Sequence, residues 1–240
     1  SSEVTESAPV VSRSSEGVPA FSEVNWKLPE GEPDPDYPDR IRFTPPNKED
    51  MSIYDTSAIL AAWTTDDPSP LSDYDRTIYD AAEAVLDEIL TGGMSSYDKE
   101  VAIYAWVVQH VSYDHTPTDI LEETDRDAFG PYGGLVNHAC VCLGYSSTFQ
   151  LLADMAGLEC ITVVGAGSSS EEDHAWNMVR LNGNWYCLDT TWDAGYLIPG
   201  DESGWTWRFF NVTSDYMARS NHQWDYDSVP EAIAEDGGRG

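Results

Sequence analysis

Residues 173–193 read Asp-His-Ala-Trp-Asn-Met-Val-Arg-Leu-Asn-Gly-Asn-Trp-Tyr-Cys-Leu-Asp-Thr-Thr-Trp-Asp. Asn182-Gly183 sits between alternating apolar and polar residues, the strongest short-range signal for a β-hairpin. A two-residue loop pairs Leu181 with Asn184. His174 then falls opposite Thr191, and Trp176 opposite Asp189. Asp189 becomes the diagonal neighbour of His174 on one face of the sheet, with Cα atoms roughly 7–8 Å apart. A three-residue loop would put the two on opposite faces. The face of His174 and Asp189 also carries Trp176, Met178, Cys187 and Thr191, and a helix is expected to cover it. Asn177 points the other way and reads as structural.

Upstream the period changes from two to 3.6. Ser72-Asp73-Tyr74-Asp75 has the form of a helix start, and Ile78, Ala82, Val85 and Ile89 follow at helical spacing before Gly92-Gly93. A second helix opens at Ser95 or Ser96 and runs through Val101, Tyr104, Ala105, Val108 and Val111. The Gly130–Gly134 cluster reads as loop. A third helix runs from about Cys142 to Ala156, with Gly157 as its cap. Strands are expected at residues 161–164, 174–181, 185–190 and 207–212. Helices followed by strands indicate an α+β fold with an antiparallel sheet.

Four cysteines are present: Cys140, Cys142, Cys160 and Cys187. Cys142 stands where loop becomes helix, so its sulfur feels the positive end of the helix dipole, which favours thiolate. It shares a helix face with Tyr145, Phe149, Leu152 and Ala156. A buried Asp–His pair facing a thiol at a helix start is the arrangement nucleophilic catalysis needs. The imidazole takes the thiol proton, and the carboxylate fixes the tautomer and stabilises imidazolium. Cys160 and Cys187, expected on neighbouring strands, are a candidate disulfide.

At these residues the chain resembles the transglutaminase-like superfamily of cysteine enzymes. The family's nucleophile segment, roughly V-C-x-G-Y-[AS], is matched by Val141-Cys142-Leu143-Gly144-Tyr145-Ser146. Its H-[AS]-W-N segment is matched by His174-Ala175-Trp176-Asn177, and its W-Y-x-[VL]-D-x-T-W segment by Trp185 to Trp192. The resemblance covers about residues 95–195, and Phe209 to Asp215 resembles a later strand of bacterial members. It implies a papain-like core, a nucleophile helix packed on an antiparallel sheet. It also implies a Cys142–His174–Asp189 triad acting through a thioester, resolved by water or by an amine. Papain-type proteases space Cys and His by roughly 130–150 residues, far more than the interval between Cys142 and His174. The backbone N–H of Cys142 is the expected first oxyanion donor. Tyr132, Tyr113 and Trp106 are candidates for the second. Trp176, Trp192 and Tyr145 are expected to bind substrate or support the triad.

The rest of the chain bounds these readings. Ten of the 14 prolines lie in residues 1–70. Residues 1–20 read as a flexible linker, residues 21–70 as a Pro-rich extended segment wrapping the core, and residues 71–235 as the catalytic domain. The polar first twenty residues fit an exported or cell-surface protein. With 43 Asp+Glu against 12 Lys+Arg the net charge is -31. That repels phosphate backbones and excludes nucleic acid as a partner. No apolar run is long enough for membrane insertion. Peptide or protein substrates are expected, amine- or Lys-bearing ones being favoured by the charge. The histidines lack zinc spacing, Asp34, Asp36 and Asp39 lack the remaining features of a calcium loop, and no cofactor is expected. Gly165 to Ser170 lacks the lysine and the following helix of a phosphate loop and reads as a mobile loop rimming the site. Two functional readings stand: a cysteine-dependent amide hydrolase or acyl transferase on peptide or cell-wall-type substrates, and a non-catalytic binding or scaffold module of a surface protein that keeps the fold.

Overall fold

The computed structural model describes residues 32–33, 41–42, 53–116, 126–167, 172–194 and 206–239. Residues 1–20 and the aspartates at 34, 36 and 39 lie outside them. A short antiparallel pair, β1 (Glu32–Pro33) and β2 (Ile41–Arg42), comes first. Three helices follow: α1 (Ser57–Thr65), α2 (Asp73–Ile89) and α3 (Ser96–His110). Side-chain caps fix the starts of the second and third. Ser72 accepts from the Asp75 N–H, and Ser95 and Asp98 form a reciprocal capping box. The helix α1 corrects the reading of residues 21–70 as extended throughout. Ile59 and Ala62 bury one side of it, and the Trp63 indole donates to the Met155 carbonyl at 2.7 Å.

Strands β3 (Ser112–Tyr113) and β4 (Ala139–Cys140) pair in parallel, Tyr113 opposite Cys140. Between them Gly133–Asn137 forms a π-helical turn where loop was expected. Helix α4 (Cys142–Met155) follows β4 directly, and Gly157 at φ +81 takes the left-handed position just after its end. Then come β5 (Glu159–Gly167), β6 (Glu172–Leu181), β7 (Asn184–Leu188), the short helices α5 (Thr190–Asp193) and α6 (Ser214–Arg219), and β8 (His222–Gln223). The last sheet runs β7-β6-β5-β8, antiparallel throughout.

Several expectations change here. Gly165 to Gly167 belong to β5, and the rest of the expected loop, residues 168–170, lies outside the described residues. Residues 207–212 form turns that touch β7 through a single Cys187–Val212 bridge rather than a strand. Helix α4 covers the sheet face opposite to the expected one. Val179, Leu181, Tyr186 and Leu188 join α1 to α4 in one core. Trp176, Met178 and Cys187 bury instead under Phe209, Val212, Tyr216, Met217 and Trp224 of the C-terminal segment. The chain beyond residue 206 supplies an apolar cover that period and spacing do not announce. Cys160 and Cys187 are not on neighbouring strands, because β6 separates β5 from β7. They bury in different cores, and all four cysteines are free.

Candidate active site

Cys142 is the first residue of α4. Val141 precedes it in extended conformation, and no side chain caps the helix. The N–H groups of the first turn therefore lack the usual capping acceptor and point toward whatever lies beyond the helix start. Gly144 explains itself at this point. A Cβ there would stand 2.5 Å from the Cys140 Cβ and would run into the Ala128 carbonyl oxygen. Only glycine lets β4 and the turn at Arg126–Phe129 press against the helix, where the Val141 N–H donates to Ala128 at 3.0 Å.

His174 lies near the start of β6, opposite Gly165. A Cβ on Gly167 would stand 3.0 Å from the His174 ring, so glycine gives the imidazole its room. The hairpin register is the expected one, from Leu181–Asn184 to Asn177–Leu188. Beyond Leu188 it stops, and the pairs His174–Thr191 and Trp176–Asp189 do not form. Asp189 instead caps α5, its Oδ1 accepting the Trp192 N–H at 3.1 Å. That turn swings Oδ2 to 2.7 Å from His174 Nε2. The Cys142 thiol acts on the same ring, helping to raise its pKa. With Nε2 committed to Asp189, Nδ1 is the nitrogen left for the sulfur.

All three side chains are buried, Asp189 completely. Burial alone would push the Asp189 carboxyl up, but the charges and hydrogen bonds of His174 and His222 hold it well below the usual carboxylate range. Burial pulls the His174 imidazole down. Asp189 and Cys142 outweigh it and raise its pKa to about 10. The arrangement thus favours a protonated imidazole against the ionised Asp189.

His222 escaped sequence reading. It is fully buried, and its Nε2 stands 2.9 Å from the same Asp189 Oδ2. Only the long-range pairing of His222 with Gly167 brings it there, and nothing in its local sequence marks it. The ligand atoms of His174, Asp189 and His222 lie within 4.8 Å of one another. Both imidazoles spend Nε2 on one oxygen, however, so a metal at roughly 2.0–2.1 Å from each nitrogen would have to displace both hydrogens. The geometry is that of a hydrogen-bond chain. A second buried acid, Asp193, accepts from Tyr104, from Thr206 Oγ1 at 2.5 Å, and from the backbone N–H groups of Arg208 and Phe209 at 3.0 and 2.9 Å. Tyr104 also donates to the Asp189 carbonyl at 3.1 Å, so this network seats the turn that carries Asp189.

The remaining candidates separate by position. Trp192 stacks on His174 at 5.1 Å between ring centroids, and Trp176 lies 5.8 Å from it. Tyr145 donates to the Val111 carbonyl at 2.5 Å and is core rather than site lining. Trp106 is buried in the helical core and stacks on His110. Tyr132 stacks on Tyr74 at 4.7 Å. Of the three second-donor candidates, Tyr113 packs against the cluster of Val141, Cys142, Leu143 and Ala175.

Residues 83–190 match the model of a family described as the transglutaminase-like superfamily. The mouse (Mus musculus) kyphoscoliosis peptidase is 32% identical over 177 residues, covering 66% of this chain and 26% of that protein. The Lim and transglutaminase domain protein ltd-1 of Caenorhabditis elegans is 28% identical over 119 residues, covering 45% of this chain and 16% of that one. The chain thus spans about a quarter or less of the length of these relatives. A solved structure described as a TGase superposes with a TM-score of 0.41 at 20% identity, over 59% of this chain and 38% of that one. Among the described residues no helix is long and apolar enough to cross a membrane.

Proposed function

The chain belongs to the transglutaminase-like superfamily, and on that premise we propose that it is a cysteine-dependent enzyme cleaving or exchanging amide bonds of peptides through Cys142, His174 and Asp189. The observation that carries this reading is the buried His174–Asp189 pair at 2.7 Å, with the Cys142 thiol at a helix start acting on the same imidazole. His174 Nδ1 holds the proton given up by the thiol, and the sulfur attacks the amide carbonyl. The carbonyl π electrons move to oxygen, and the Cys142 N–H donates a hydrogen bond to that oxyanion. Collapse breaks the C–N bond, His174 returns its proton to the leaving amine, and a thioester remains. Water, deprotonated by His174, then breaks the C–S bond and frees the acid and the thiol. An amine in place of water gives transamidation.

Hydrolysis is the favoured outcome, supported by the mouse relative, which is named a peptidase. The net charge of -31 favours cationic or Lys-bearing peptides, by long-range attraction that salt screens. An extracellular or cell-surface site of action accompanies the proposal, and surface labelling of intact cells reads it out. The deciding experiment is iodoacetamide labelling with mass mapping on wild type and His174→Ala. Cys142 alkylates fastest in wild type, and His174→Ala slows it. Equal labelling of all four cysteines would overturn the reading in favour of a non-catalytic module. Incorporation of a fluorescent primary amine into a glutamine-containing protein would show transfer in place of hydrolysis.

A further inference from the structure

His222 stands 33 residues beyond Asp189 and has no exposed surface. Strand β8 delivers it beside β5, opposite Gly167. Its ring is walled by Trp192 at 4.2 Å, Trp176 at 4.9 Å and Phe209 at 5.3 Å between centroids. The titratable groups facing it are Asp189 at the start of α5 and His174 from β6. Strand β5 presents backbone, the segment 206–212 presents Phe209, and the Ser220 carbonyl lies 3.2 Å from His222 Nδ1.

An ionised carboxylate has no hydrogen to give, so both imidazoles donate to it from Nε2. Asp189 Oδ2 takes His174 at 2.7 Å and His222 at 2.9 Å, while Oδ1 takes the Trp192 N–H. The second donor answers a specific difficulty. A buried carboxylate against an imidazolium can take its proton and leave two neutral groups, because burial penalises both charges. Asp189 would then no longer stabilise the imidazolium that the thiolate requires. Each further N–H donor stabilises the anionic carboxylate and resists rotation of the group.

Building on the reading of Cys142, His174 and Asp189 as the catalytic group, we propose that His222 is a positioning residue that keeps Asp189 ionised and aimed at His174. The low pKa of Asp189, sustained against burial by both histidines, agrees with this role. His222 itself is pulled toward its neutral form by burial and by His174, against the pull of Asp189 and of the Ser220 carbonyl. One Nε2 hydrogen is all the role needs.

The test compares His222→Phe with His222→Gln in the full chain. Phenylalanine keeps the ring among Trp192, Trp176 and Phe209 but removes the donor, whereas glutamine keeps an N–H near Nε2 and loses the ring. The readouts are the rate of iodoacetamide alkylation of Cys142 across pH 4–10, by mass mapping, and the thermal melt. His222→Phe is expected to slow alkylation near neutral pH about tenfold, equivalent to one pH unit, with the acidic limb moved to higher pH. His222→Gln recovers most of the rate and the limb, although it melts no higher than the Phe variant. A His222→Phe variant with the wild-type rate and limb, or a Gln variant no better than Phe, would overturn the proposal. If the Phe variant does not fold, a Gln variant with the wild-type limb supports the role and one without it overturns the role. Wild-type Cys142 reacting no faster than Cys140, Cys160 and Cys187 would remove the catalytic reading itself, a result separate from either variant's.

Discussion

Asn177 donates from Nδ2 to the Ser146 carbonyl at 3.0 Å, which ties strand β6 to helix α4 one turn beyond Cys142. The same amide reaches Thr162 Oγ1 at 3.2 Å on β5. Asn177 is fully buried, so removing its amide takes away buried hydrogen bonds that tie three elements together. Asn177→Leu is therefore expected to cost about 1–3 kcal/mol of stability. It should also slow Cys142 alkylation, because β6 carries His174 and α4 carries the sulfur. Denaturant melts and alkylation of the folded variant check both parts. A variant of wild-type stability would show that the clamp contributes nothing.

The same contact marks what the sequence reveals and what it hides. The hairpin register followed from Asn182-Gly183, because a two-residue turn leaves one pairing. Helix starts followed from Ser72 and Ser95, whose side chains satisfy local N–H groups. Local chemistry decides these. The face of the sheet that α4 covers is decided by competition between two apolar surfaces, one led by Val179 and Leu181, the other by Trp176 and Met178. Both alternate along one strand, and period two cannot rank them. Phe209, Met217 and Trp224 settle the matter from far along the chain. Asp189 came to His174 for a different physical reason than the extended ladder supposed, since it left the strand to cap α5. His222 was hidden because its partner lies across two strand crossings and no motif spans that distance.

Gly144 fixes how closely Cys140 and the Ala128 carbonyl approach the first turn of α4. In Gly144→Ala the new methyl would stand 2.5 Å from the Cys140 Cβ. Backbone lies on one side and a buried side chain on the other, so something must shift. Overpacking of this kind typically costs about 1–3 kcal/mol. The expected outcome is a lower melting temperature together with slower Cys142 alkylation, because the displaced turn is the one that begins with Cys142. A fully stable variant with wild-type alkylation would mean that β4 can retreat freely.

Tyr113, which stacks on Tyr145, is the second-donor candidate that packs against the Cys142 cluster, whereas Trp106 and Tyr132 stack on His110 and Tyr74 away from it. If the Tyr113 hydroxyl completes the oxyanion site, Tyr113→Phe lowers kcat about 10²-fold with KM little changed. Alkylation by iodoacetamide passes through no oxyanion, so the same variant should alkylate Cys142 at the wild-type rate. Trp106→Phe and Tyr132→Phe should act on stability instead. Peptide hydrolysis by Tyr113→Phe at the wild-type kcat would remove it from the site.

Stability should peak at mildly acidic pH. Burial pushes the Asp154 carboxyl up to about 6 and the Asp193 carboxyl up to about 7. The folded chain holds these protons after the unfolded chain releases them near pH 4, so stability falls as pH rises from about 4 to 7. His174, despite the downward pull of burial, is raised to about 10 by Asp189 and Cys142. Its contribution is complete below about pH 6.5, where the unfolded imidazole titrates, and is lost as pH climbs to 10. Asp189 acts oppositely. Burial opposes its charge, but His174 and His222 hold it low, so its contribution exists above about pH 4 and disappears in acid. Self-repulsion among 43 acidic side chains adds to the loss at high pH. Thermal melts from pH 3 to 10 should therefore show a maximum near pH 5, by about these windows. Asp193→Asn should flatten the slope between pH 4 and 7, since the amide cannot ionise and still offers one acceptor to Thr206 and Arg208. His174→Gln should flatten the slope from about pH 7 to 10. A melting temperature that climbs steadily to pH 9 would contradict the protonation states assigned to both His174 and Asp193.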